Sequence, residues 1–113
     1  MSQFEPPAGP GDDVELSVVT MRFETSRPEA LAAVLAKYVV LSRGHDGCRN
    51  IDLCASVTRP GRFLLVEKWA SSAARQAHFD SPDMVEMAEA CRPLLAGPPD
   101  FDLFQAVSAH DLR

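Results

Sequence analysis

The sequence predicts an α+β domain, a split β-α-β repeat of ferredoxin-like type with a four-stranded antiparallel sheet and helices on one face. Three observations carry this expectation. Apolar residues alternate with period two in four short stretches. Between them, apolar residues recur at helical i, i+3, i+4 spacing. The two kinds of segment follow the order β-α-β-β-α-α-β, and 113 residues suffice for one such domain with one modest core.

Residues 14–24 form the first strand, with Val14, Leu16, Val18 and Thr20 on one face and Ser17, Val19, Met21 and Phe23 on the other. Both faces are largely apolar, as in a strand covered on both sides. Ser26-Arg27-Pro28-Glu29 reads as a capping box with Pro in the first turn. The helix behind it carries Leu31, Val34, Leu35, Tyr38 and Leu41 on one stripe; Gly44 suits its C-cap and Arg43 its negative end. His45-Asp46-Gly47 is a connecting turn. Residues 48–58 alternate Ile51, Leu53, Ala55 and Val57 against Asn50, Asp52, Cys54 and Ser56, a strand with one wetter face. Arg59-Pro60-Gly61-Arg62 has the Pro-Gly centre of a type II turn and leads into a hairpin strand, residues 62–69. Here Phe63, Leu65, Glu67 and Trp69 share a face, opposite Leu64, Val66 and Lys68.

Ser71 and Ser72 supply N-cap oxygens for a short helix bearing Arg75, His78 and Phe79. Ser81-Pro82-Asp83 starts another, with Met84, Met87, Ala88, Cys91 and Leu94 or Leu95 along one side, and Gly97-Pro98-Pro99 stops it. Residues 101–107 complete the sheet. The domain proper spans residues 14–107, between a flexible Pro/Gly-rich tail, residues 1–13, and a short tail, residues 108–113. A sheet covered by helices on one side only, yet apolar on both, would face water with an apolar surface, so the pattern predicts a homodimer.

Sixteen acidic against eleven basic residues, a net charge of −5, disfavour a nucleic-acid partner. No apolar run approaches the roughly 20 residues of a membrane span, and the N-terminus lacks the pattern of a secretory signal. A cytoplasmic protein is expected, with no membrane partner. Cys48, Cys54 and Cys91 form no CxxC pair, and His45, His78 and His110 form no HxH or HxxxH pair. Free thiols and no metal site follow as expectations.

The candidate site is the corner where the strand ending at Trp69 meets the helix carrying His78. His78 suits a general base, because imidazole titrates near neutral pH. It equally suits a clamp bonded to a nearby carboxylate. Trp69 has an indole N–H and a ring for a substrate, or is simply core. Glu67, in phase with Trp69, is a candidate buried carboxylate or a hydrogen-bonded tie between helix and sheet. Phe63, Phe79, Met84 and Met87 line a cavity on one reading and pack the core on the other. The catalytic reading expects His78→Ala to fold and to lose roughly 10²-fold in turnover.

Glu67-x-Trp69, Ser71 or Ser72, His78, Ser81 and an apolar helix ending at Leu94-Leu95 before Pro98 resemble the antibiotic biosynthesis monooxygenase family, whose members are dimeric α+β barrels. The resemblance covers roughly residues 14–107. It implies a monooxygenase that uses neither metal nor flavin and needs no cofactor. Its partners would be O2 and a small aromatic substrate (a quinol, an anthrone or a polyketide-type phenol) that supplies its own electrons. His78 and Trp69 would then be catalytic, and Glu67, Phe63, Phe79, Met84 and Tyr38 would contact the substrate. Oxygenases of the family often set an Asn on the Trp-bearing strand and a Tyr near the pocket. This chain has one of each, Asn50 and Tyr38, neither beside Trp69 in sequence. The haem-degrading branch carries a His on the helix after Ser81, and here that helix has none. The other reading of the same fold is a dimeric module that binds a small apolar ligand without transforming it.

Overall fold

The computed structural model describes residues 16–109. The expected tail at residues 1–13, the start of the first strand at Val14 and the end of the C-terminal tail lie outside the described residues. The elements run β1 (Ser17–Glu24), α1 (Pro28–Ser42), β2 (Cys48–Ala55), β3 (Arg62–Trp69), α2 (Ser72–Phe79), α3 (Pro82–Cys91) with a 3-10 turn at Arg92–Leu94, and β4 (Asp100–Gln105). The strands form one antiparallel sheet in the order β2-β3-β1-β4, as the split β-α-β pattern requires. No helix among the described residues is long and apolar enough to cross a membrane.

The core lies between the helices and one sheet face. Val19, Met21 and Phe23 of β1 join Phe63, Leu65 and Trp69 of β3, and Leu31, Leu35 and Tyr38 of α1 close over them. The opposite sheet face is mixed. Val18, Leu64, Val66 and Phe104 alternate with Arg22, Lys68 and Asp102, and Arg22 pairs with Asp100 across the β1–β4 ladder. The expectation of an apolar second face is therefore met only in part, because charged residues continue the row that Val18 and Thr20 begin.

Several local expectations change. Ser26 does not cap α1. Arg27 occupies the N-cap with no side-chain bond, and its amide N–H donates to Thr25 Oγ1 at 2.8 Å. Gly44 is not a left-handed cap. The positive φ falls on Gly47 (79°), where a Cβ would collide with that of Ala74, so the chain must be bare there for α2 to pack. β2 ends at Ala55, and Val57, expected on its apolar face, is fully exposed in the hairpin loop. The Pro60-Gly61 turn forms as expected, with Gly61 at φ 84° and the Arg62 N–H donating to Arg59 C=O at 3.2 Å.

Candidate functional site

Glu67 and Trp69 stand two residues apart on β3, so both point into the core, where both are fully buried. The Trp69 indole N–H donates to Glu67 Oε1 at 3.0 Å. Tyr38 follows Leu31 and Leu35 on the buried stripe of α1, and its hydroxyl reaches across to within 2.5 Å of Glu67 Oε2. Ser71 caps α2 by accepting the Ala74 N–H at 3.0 Å. The short helix that follows lays His78 flat on Trp69, with ring centroids 4.4 Å apart and planes at 26°. His78 Nε2 lies 2.6 Å from the Tyr38 hydroxyl. Its Nδ1 lies 2.8 Å from Nδ1 of His45, in the turn after α1. His45 Nε2 in turn lies 2.8 Å from Oδ2 of Asp83, which the Ser81 cap sets in the first turn of α3. The chain of contacts starts in the dry core and ends near the surface, where the His45 and Asp83 side chains are 23% and 29% exposed.

Each of these four contacts, Glu67–Tyr38–His78–His45–Asp83, requires one proton between its heavy atoms. Four protons on these five groups leave a net charge of −1. With Tyr38 and His78 neutral and Asp83 ionised, two arrangements satisfy every contact. In one, Glu67 is ionised, Tyr38 donates to it, and His45 is an imidazolium facing Asp83. In the other, each of three protons has moved one step, so that Glu67 is protonated and His45 neutral. His78 is neutral in both. Burial, with the neighbouring His45 adding to it against Asp83, lowers the His78 pKa from 6.5 to about 4. Burial raises that of Glu67, against the hydrogen bonds from Tyr38 and Trp69. Burial and the Glu67 carboxylate raise that of Tyr38 far out of the physiological range.

Two spaces open along α3, and the first of them adjoins this layer. A groove of about 170 Å³ between α1 and α3 is lined by Val34, Tyr38, Leu41, Met87 and Ala90, with Lys37, Asp83 and Glu86 among them. A cavity of about 390 Å³ lies further along α3, lined by Phe23, Met87, Cys91, Leu95, Pro98 and Phe101, with Arg92 on its wall. Burial pushes the Cys91 thiol up to about 11. Among the described residues, no group of three or more His, Cys, Asp or Glu side chains is placed to hold a metal ion.

Residues 16–90 match the antibiotic biosynthesis monooxygenase family. The chain belongs to that family. It is 25% identical to the uncharacterised protein sll1783 of Synechocystis sp. over 101 residues, 89% of this chain and 69% of that protein. The fold is similar to that of Rv0793 from Mycobacterium tuberculosis, with a TM-score of 0.73 and 28% identity over 79% of this chain and 92% of that one. It is also similar to that of SO0527 from Shewanella oneidensis, with a TM-score of 0.77 and 25% identity over 87% and 97% of the two chains.

Within this family member, the tertiary structure brings four of the sequence-predicted residues together: His78, Trp69, Glu67 and Tyr38. Phe79 lies beside them, its ring centroid 6.0 Å from that of His78. Met84 is half-buried against the core. Phe63 is not with them; it sits at the other end of β3, paired across the ladder with Phe23. Asn50 is exposed and bonded to Asp52 at 3.0 Å, so β2 supplies no amide to the site. The corner itself is filled, since Trp69, Glu67 and His78 satisfy one another and are at most 2% exposed. Sequence reasoning missed His45 and Asp83. Their only local signals were a turn and a helix start, and the contacts that make them matter span 33 and 38 residues.

Proposed function

We propose that this chain is a cofactor-independent monooxygenase of small hydroxylated aromatics, holding a single-ring phenol or quinol in the α1–α3 groove. The observation that supports this reading is the run of acid–base groups from Glu67 to Asp83, which meets the groove at Tyr38 and Asp83. Val34, Leu41 and Met87 hold the ring by apolar contact. The half-exposed Asp83 spends Oδ2 on His45, and the pair accepts the proton of the substrate hydroxyl. With Glu67 protonated and His45 neutral, that added proton makes the whole run neutral without breaking any contact. Lys37, whose ammonium donates to Glu86 at 3.0 Å, stands on the groove wall as the cation for the resulting phenolate.

The electron-rich anion reduces O2, and a carbon–oxygen bond forms at a ring C–H carbon, para to the oxyanion in a phenol and ortho to it in a quinol, whose para carbon already carries oxygen. The peroxide takes the proton back from the Asp83–His45 pair. Loss of water, with the ring C–H proton and the distal peroxide oxygen, leaves a quinone. A phenol and O2 thus give a quinone and water, and the protein ends as it began. His78 and Glu67 act through His45 and do not touch the substrate, as their burial requires.

Oxygen uptake with a panel of single-ring and fused-ring phenols and quinols tests the proposal. Asp83→Asn and His45→Gln should each lower kcat by roughly 10²-fold with little change in KM, and activity should recover as pH approaches the substrate's own pKa. Unchanged turnover in both variants, or no oxygen uptake with any substrate, rejects it. A second reading, a non-catalytic binding module, is favoured by the larger cavity. Nothing on its wall can take a proton at neutral pH, because Cys91 titrates at about 11 and arginine is already protonated.

A further inference from the structure

We infer that the cavity at the C-terminal end of α3 is a binding site for a small aromatic anion, a fused-ring carboxylate or a close equivalent, held by the Arg92 guanidinium. This inference does not depend on the oxygenase reading, because it concerns a different space and its anchor, Arg92, does not line the groove, although Met87 borders both.

Volume comes first. At about 390 Å³ the cavity falls within the range of roughly 300–1,000 Å³ typical of small-molecule sites, whereas the α1–α3 groove at about 170 Å³ falls below it. Its wall is built of Phe23, Met87, Leu95 and Phe101, which offer ring faces and a pliable thioether to a flat apolar guest. Charge decides the rest. The whole chain carries −5, yet no acidic residue lines this cavity, and Arg92 is its one charged lining residue. Arg92 is exposed, and among the described residues its guanidinium has no hydrogen-bond or ion-pair partner. It shares this with Arg27 and Arg59, which lie away from the cavity, and differs from Arg22, Arg43, Arg62 and Arg75, which are each bonded to a carboxylate, a carbonyl or a hydroxyl. A planar donor fork beside an apolar pocket fits a carboxylate in two parallel bonds while the ring enters the cavity. The 3-10 turn at Arg92–Leu94, broken from α3 by Pro93, places this residue at the cavity, and Thr25 fixes the turn by donating its hydroxyl to Leu94 C=O at 2.5 Å.

The test is calorimetric titration of the full chain with 1-naphthoate and with its neutral isostere 1-naphthamide. The amide should bind at least tenfold more weakly than the carboxylate. Arg92→Met should weaken naphthoate by tenfold or more and leave naphthamide unchanged, because only the carboxylate uses the guanidinium. Ala88→Trp, which puts an indole in the cavity from an exposed helix position, should abolish binding of both. Turnover of any quinol oxidised by the wild type should be the same in Arg92→Met, so failure here and failure of the oxygenase reading give different results. No naphthoate binding at millimolar concentration, equal affinity for acid and amide, or indifference to Arg92→Met or Ala88→Trp would each overturn the inference.

Discussion

The two ends of the sheet differ in what occupies the space beneath the helices. β1 pairs Ser17 with Trp69 at one end and Phe23 with Phe63 at the other, about 20 Å away. At the Trp69 end the space holds Glu67, Tyr38 and His78, and it is full. At the Phe23 end the walls are apolar, and a cavity of about 390 Å³ remains. The contrast follows from the cost of burying polar groups. A carboxylate, a phenol and an imidazole survive without water only by bonding to one another at short range, which leaves no room for a guest. Apolar walls make no such demand, so they can stand apart. The richest cluster of reactive residue types is thus the least available for binding, and only its outer end, His45 and Asp83, meets solvent.

The largest effect should come from breaking the filled end. His78→Ala would take one hydrogen bond each from the Tyr38 hydroxyl and His45 Nδ1 and open a void against Trp69, at a cost of about 3–5 kcal/mol by chemical denaturation. This differs from the expectation that the variant folds well and loses only turnover. A denaturation midpoint close to wild type would show that the corner is not a clamp.

Acid should act next, through the same residues. The folded state holds His78 neutral down to about pH 4, whereas the unfolded chain protonates it near 6.5. The unfolded state therefore binds more protons in that window, and stability from His78 is lost as pH falls through it, up to about 3 kcal/mol. Glu67 has the opposite sign. Its raised pKa means that the folded state takes up a proton before the unfolded one, which stabilises the fold as pH falls. Melting temperatures between pH 7 and pH 5 should accordingly drop more in Glu67→Gln than in the wild type. An equal drop would mean that the carboxylate does not counterbalance the imidazole.

A second copy of the chain is the proposed cover for the exposed apolar residues of the sheet. Leu64 is 36% exposed, and Phe101, Leu103 and Phe104 of β4 are about half exposed. Sedimentation should show a species near twice 12.3 kDa, and Leu64→Glu should shift it toward the monomer. A monomer in the wild type would leave these residues unexplained. If the dimer instead resists Leu64→Glu but yields to Phe101→Glu, the partner sits over the open end, and the cavity is closed in solution. The smallest effect belongs to that end itself. Arg92→Met should change stability by no more than about 0.5 kcal/mol, since the side chain is exposed and bonded to nothing among the described residues. A larger loss would show that Arg92 holds the fold rather than a ligand.

The sequence by itself determined the element order and the core faces of β1 and β3. Period two, period 3.6 and the Ser71 and Ser81 caps are local properties, and the structure follows them through β1, β3, α2 and α3. It also determined that Glu67 and Trp69 share a face, because residues two apart on a strand must; the bond between them is tertiary detail. The cap of α1 lies one residue later than Ser26, at Arg27, whose own amide is held by the Thr25 hydroxyl. The reach of Tyr38 into the site was decided only by how α1 crosses β3, and the joining of His45 to His78 and Asp83 only by how two turns and a helix start converge. The cavity was decided there too. Apart from Arg92 and the Gly97-Pro98-Pro99 helix stop, its wall carries no sequence signal beyond apolarity, and an empty volume is a property of how surfaces fail to meet, which periodicity along one chain does not encode.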